Sequence, residues 1–183
     1  VTKEVNNLPE VKELTISNRK AIEDVVKSFQ NLTKAQQKFV TNQDKLLSLE
    51  EKLKELIKNE DDQTAAEKVI DVIAALPEVT YLTLDHKSAV EKARLAFNSL
   101  TSAQQKFVTN QSKLVSLETK LVAEDVVSQI NSLPLVSQVT AKNKNDIEKV
   151  RQAHKNLTSN QQKMVLNYND LVTLEIRLAE LID

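Results

Sequence analysis

Apolar residues recur at helical spacing along almost the whole chain, and the pattern is played three times. Ile22, Val25, Phe29 and Leu32 lie on one face of a helix, and Val90, Ala93, Phe97 and Leu100 repeat that face. Ile147, Val150, His154 and Leu157 repeat it again, with a histidine in the aromatic place. A second, longer stretch in each copy carries leucines spaced as in a coiled coil: Leu46, Leu49 and Leu53, then Leu114, Leu117 and Leu121. Each copy is thus predicted to hold two amphipathic helices with a short polar segment between them.

That polar segment predicts its own helix boundaries. The first helix should end before Leu32-Thr33, Leu100-Thr101 or Leu157-Thr158. Thr33, Thr101 and Thr158 are then N-caps of a short helix, and Gln36, Gln104 and Gln161 follow three residues later. This is a capping box: the threonine oxygen and the glutamine side chain each satisfy a backbone N–H that the helix leaves without a partner. The short helix stops at Asn42, Asn110 or Asn167. The chain has no glycine, so these asparagines are expected either to enter a left-handed conformation or to cap the long helix that follows.

The copies are close. Residues 33–53 and 101–121 are identical at 17 of 21 positions, and residues 158–178 form a more divergent third version. Such self-similarity marks a tandem array. Leu8-Pro9, Leu76-Pro77 and Leu133-Pro134 set spacings of 68 and then 57 residues, which divides the chain into units 1–65, 66–122 and 123–183. Units this small sit near the lower limit for a self-sufficient core, so neighbours are expected to support one another. The 11 extra residues of the first unit lie around 54–64. Eleven residues make three turns at about 3.67 residues each, so they can lengthen a helix without rotating its apolar face. From Gln111 to Ser132 there is no proline, glycine or turn cluster, and one helix should run from unit two into unit three. The same continuity is favoured through 54–64, with a break at the acidic stretch 59–62 as the alternative. The expected fold is all-α, with tandem three-helix-bundle repeats joined by long shared helices into an elongated rod.

Composition narrows the chemistry. Lys plus Arg against Asp plus Glu is 11 to 12, 7 to 6 and 7 to 8 in the three units. No unit has the basic excess that nucleic acid or an anionic membrane surface requires. There is no cysteine, and no apolar run reaches 18 residues, so neither a disulfide nor a membrane span is expected. The chain opens at Val1 without methionine or a signal segment, as expected of a processed form or a fragment of something longer.

No enzyme, metal or cofactor site is expected. His154 stands where the other copies have phenylalanine, so packing explains it, and His86 lies beside Asp85, the expected N-cap of its helix. The carboxylates, including Glu50-Glu51 and Glu60-Asp61-Asp62, read as solvated helix surface. A chain without glycine can form neither a phosphate loop nor a normal calcium loop. One motif invites a ligand: the triplets Gln36-Gln37-Lys38, Gln104-Gln105-Lys106 and Gln161-Gln162-Lys163 persist in all three copies. The first glutamine caps, while the second glutamine and the lysine have no evident structural duty. Gln37, Lys38, Gln105, Lys106, Gln162 and Lys163 are therefore the candidate ligand-contacting stripe. Tyr81 and Tyr168 are the only tyrosines and do not recur, which disfavours a repeated sugar site.

The pattern carried by Leu76-Pro77, Leu82-Thr83, Leu100-Thr101, Gln105-Lys106, Val108, Asn110, Leu114 and Glu118, and by their equivalents, resembles a known kind of module. It is similar to the α-helical repeats of secreted and cell-surface proteins of Gram-positive bacteria, among them S-layer and wall-associated proteins and multimodular exported enzymes. The resemblance implies a spacer, an adhesive element or an assembly element outside the cell. Its implied role is a non-catalytic semi-rigid stalk or scaffold, with a binding module (adhesin or wall anchor) as the alternative. The partners it implies are a cell-wall polymer, a host protein or neighbouring copies of the chain.

Overall fold

The computed structural model describes residues 1–182. Among them the fold is all-α, with ten α-helices, six single turns of 3-10 helix and no strand. The described chain divides into two compact units, Val1–Ala65 and the residues from Ala66 onward.

The first unit opens with α1 (Thr2–Asn6), passes two 3-10 turns, and continues with α2 (Arg19–Gln30), α3 (Lys34–Gln37) and the start of α4 (Gln43–Ala74). The second unit takes up the end of α4, then α5 (Lys87–Ser99), α6 (Ser102–Gln105), α7 (Gln111–Asn131), α8 (Lys144–Lys155), α9 (Ser159–Gln162) and α10 (Tyr168–Ile182). α7 is one helix, so the segment after Gln111 runs on without interruption. α4 is likewise unbroken over 32 residues, and the acidic stretch 59–62 stays helical within it. Good helix formers fill residues 50–56 ahead of it, where Lys54–Glu50 and Lys52–Glu55 pair along the helix surface at 2.9 Å each.

Three hydrophobic clusters use equivalent positions. The first gathers Val5, Leu8, Leu14, Ile22, Val25, Leu46, Leu49 and Leu53. The second has Ile73, Leu76, Leu82, Val90, Ala93, Leu114, Leu117 and Leu121 at the same places. The third has Ile130, Val139, Ile147, Val150, Leu171, Leu174 and Leu178, with Leu133 partly buried against it. Val40, Val108 and Val165, from the end of each short segment, are also buried. The helical period therefore translates directly into one inward stripe per helix. Burying a leucine contributes about 2 kcal/mol, and these stripes carry most of the stability available to so small a core.

Three expectations need correction. No described residue has a positive φ, so Asn42, Asn110 and Asn167 do not adopt the left-handed conformation. Asp85 is not the N-cap of its helix. Thr83 is, and it forms a capping box with His86, whose Nδ1 accepts the Thr83 N–H at 3.1 Å. Asp62 is not solvated surface: only 8% of it is exposed, whereas Glu60 and Asp61 remain exposed.

Candidate functional site

The capping boxes at the heart of the candidate stripe are fully formed. The Thr33 N–H donates to Gln36 Oε1 at 2.9 Å, and the Gln36 N–H donates to Thr33 Oγ1 at 3.3 Å. Thr101 with Gln104 repeats both bonds, as does Thr158 with Gln161. Each threonine is extended, for example at φ −64° and ψ 155° for Thr33, which ends one helix and starts the next.

The second glutamine of each triplet also has a structural duty, which the sequence reading missed. Gln37 Nε2 donates to the carbonyls of Phe29 (3.2 Å) and Leu32 (3.3 Å). Gln105 Nε2 makes the same bonds to Phe97 and Leu100, both at 3.2 Å, and Gln162 Nε2 reaches the His154 carbonyl at 3.2 Å. These carbonyls belong to the end of the preceding helix, where four of them lack an intrahelical donor. The glutamine therefore closes one helix while its neighbour opens the next. Lys38, Lys106 and Lys163 are exposed, and none of them enters an ion pair among the described residues. Of the six stripe residues, the structure leaves three lysines free to meet a ligand.

The asparagines tie the start of the long helix to a helix about 40 residues upstream. Asn42 Nδ2 donates to the Thr2 carbonyl at 3.0 Å, Asn110 to Ile70 at 2.9 Å, and Asn167 to Val127 at 3.0 Å. None of these is the expected side-chain cap. Each Oδ1 is buried without a hydrogen-bond partner among the described residues.

Two further polar devices escaped the motif search. In α5 and α7 the Arg94 guanidinium grips both oxygens of Glu118 at 2.6 Å, and it lies 5.3 Å from the Phe97 ring centroid. In α8 and α10 Arg151 grips Glu175 in the same two-pronged way. The carboxylate hydrogen bonds raise the pKa of both guanidiniums despite their partial burial. The second device is a lysine clip. Lys45 Nζ donates to the Leu8 carbonyl (3.0 Å) and Glu10 Oε1 (2.9 Å). Lys113 Nζ donates to the carbonyls of Ala74 (3.2 Å) and Leu76 (2.7 Å) and to Glu78 Oε1 (3.1 Å). A signal was available in the sequence: the lysine and glutamate stand 35 residues apart in the first two copies and disappear together in the third.

The third copy adds an open recess of about 520 Å³ lined by His154, Ser159, Gln162, Lys163, Leu166 and Tyr168, among others. It gathers two residues of the candidate stripe. His154 is buried and stacks on Tyr168, with ring centroids 4.3 Å apart and planes at 27°. Arg151 Nη1 donates to the Tyr168 hydroxyl at 2.9 Å, and the guanidinium lies 5.1 Å from the tyrosine ring centroid. Burial first, and the Arg151 charge second, push the His154 pKa below its usual value, while Glu175 opposes them. A histidine held neutral against a tyrosine face is a packing element, and the Tyr168 ring is already engaged by His154 and Arg151. Tyr81 is well exposed and ends the 3-10 turn Val79–Tyr81.

Among the described residues, no three His, Asp or Glu side chains come together as a metal site would require. No helix among the described residues is long and apolar enough to cross a membrane. No protein-family model matches this chain, and neither does any curated protein or solved structure.

Proposed function

We propose that this chain is a non-catalytic structural module, a tandem array of three small helical bundles that share long helices and act as a semi-rigid stalk or scaffold. On this reading it belongs to an exported protein of a Gram-positive bacterium and works outside the cell. The observation that carries the proposal is the recurrence of the same tertiary ties in all three copies. Each copy has its capping box, its glutamine on the preceding helix end and its asparagine on a carbonyl 40 residues upstream. The polar motifs that persist are thus explained by holding helices at fixed positions, as a spacer requires. Small-angle scattering of the purified chain tests the shape. A compact 183-residue domain has a radius of gyration of about 16 Å. The stalk reading requires a clearly larger value, and a value near the compact one would sink it.

The second reading, a binding module, is favoured by one observation: Lys38, Lys106 and Lys163 remain exposed in all three copies. Its test uses the lysines, because replacing the glutamines would damage helix ends. Co-sedimentation with isolated Gram-positive wall sacculi that the triple lysine-to-alanine variant abolishes, with the variant's unfolding midpoint unchanged, would favour it. Sedimentation of neither protein would dispose of it.

A further inference from the structure

The lysine clip marks a place where each of the first two copies receives an ammonium group from its own chain. In the second copy that group meets the carbonyls of Ala74 and Leu76 and the Glu78 carboxylate, and in the first copy the Leu8 carbonyl and the Glu10 carboxylate. In the third copy the equivalent positions are Asn131, Leu133 and Leu135, and the lysine is replaced by Asp170. A recess of about 340 Å³ lies there, lined by Asn131, Leu133, Leu135, Val136, Asp170 and Thr173 among others. Among the described residues no protein donor reaches the Asn131 or Leu133 backbone carbonyl. Leu135 is 69% exposed and Val136 38%, so an apolar wall flanks these acceptors.

The exchange reverses the chemistry of the place. Where the first two copies bring a cation to a carboxylate and a carbonyl, the third brings a carboxylate beside the same carbonyl and supplies no cation. We propose that this recess takes a primary ammonium group in trans, the lysine side chain of another polypeptide. The ammonium bonds to the Asp170 carboxylate and the Leu133 carbonyl, and the methylene stem lies along Leu135 and Val136, since a lysine buries its stem and keeps its charge at polar partners. The inference stands independently of the stalk reading, because it depends only on the difference between the copies. A single partly exposed pair is weak. Affinity for an isolated lysine is therefore in the millimolar range, about 1 mM or weaker, and a partner chain must add further contacts.

The test is an NMR titration of the full chain, using Nα-acetyl-lysine methylamide and n-butylammonium as probes at constant ionic strength. The lysine derivative should give saturable amide shifts confined to residues 132–136 and 169–173, with no matching shifts beside Lys45 or Lys113. Asp170→Asn should weaken binding several-fold, and Asp170→Lys, which supplies the ammonium from within, should abolish it. A reciprocal arm removes the clip from the second copy: Lys113→Ala should create a second saturable site around Leu76 and Glu78. Absence of saturable shifts, similar shifts in all three copies, or shifts indifferent to Asp170→Asn would overturn the proposal. Tighter binding of n-butylammonium than of the lysine derivative would overturn the assignment to a polypeptide.

Discussion

The first and third copies bury the same apolar stripe but fasten it with different polar devices. The first has the Lys45–Glu10 clip, and at the place of the arginine it has Val26, leaving Glu50 to pair with Lys54 of its own helix. The third has Arg151 gripping Glu175 and Tyr168, but Asp170 and Leu135 where the clip would be. The second copy has both devices. What all three share is the leucine and valine core, the capping box, the glutamine and the asparagine. The difference separates what the unit requires from what it can exchange. Apolar burial and the satisfaction of helix ends recur without exception, while half-exposed ion pairs come and go.

The largest expected effect lies in the shared set. Leu46→Ala, Leu114→Ala and Leu171→Ala remove equivalent side chains that are buried, and each should cost about 2–5 kcal/mol. Urea unfolding followed by circular dichroism, with native-state hydrogen exchange to locate the loss, checks this. A cost below about 1 kcal/mol at any one of the three would show that the cores are not equivalent.

Arg151→Ala should come next, at about 1–3 kcal/mol, because it strips a partner from both Glu175 and the Tyr168 hydroxyl. Arg94→Ala orphans one partner only and should cost less. The reverse order in the same unfolding assay would mean that the tyrosine bond contributes nothing.

Gln105→Ala should destabilise by about 1 kcal/mol, since the Leu100 carbonyl loses its donor and the Phe97 carbonyl keeps only the Leu100 N–H. Gln162→Ala should cost less, because its amide reaches one carbonyl. An unchanged unfolding midpoint for Gln105→Ala would return that glutamine to the list of ligand contacts.

The smallest effect separates the third copy from the second by pH. His154 is held neutral, with its folded pKa below the unfolded value of about 6.5. As pH falls through that value the unfolded chain takes up the proton first, so this part of the stability is complete above about pH 6.5 and declines below it. Around the imidazole stand Arg151 on its own helix, Glu175 and Tyr168 on α10, and Lys163 at the recess. His154→Phe restores the aromatic side chain of the other copies and should reduce the loss of stability between pH 7.5 and pH 5. Equal losses in the two proteins would remove the histidine as the cause.

Much of this architecture was legible because it is local. A capping box spans three residues, and a helical stripe repeats every three or four, so Thr33 with Gln36, and Ile22 with Val25, declare themselves in a short window. The unbroken helix after Gln111 followed from the lack of any residue that would stop it. Continuity through 54–64 was favoured because 11 residues make three turns, with a break at 59–62 as the alternative. The ties that were missed are those whose partners are far apart in sequence. Gln105 reaches back eight residues over a bend to Phe97, and Asn110 reaches back 40 to Ile70. No local pattern distinguishes such an amide from one facing solvent. Asn110 also has a conformation, φ −108° and ψ 22°, that needs no special residue. The absence of glycine therefore imposed nothing on that position. Asp85 misled because a helix-start residue stood next to the true cap, Thr83, two positions earlier.

The polar ties described above all begin and end within one copy: Gln105 with Phe97, Asn110 with Ile70, Lys113 with Leu76, Arg151 with Glu175. A gene segment that encodes one copy therefore carries a complete set of donors and acceptors. Unequal crossing-over between matching points of two copies can add or delete a repeat without orphaning a helix end. Copy number in such a gene is free to change in whole steps, and natural variants should differ by multiples of one repeat rather than by fragments.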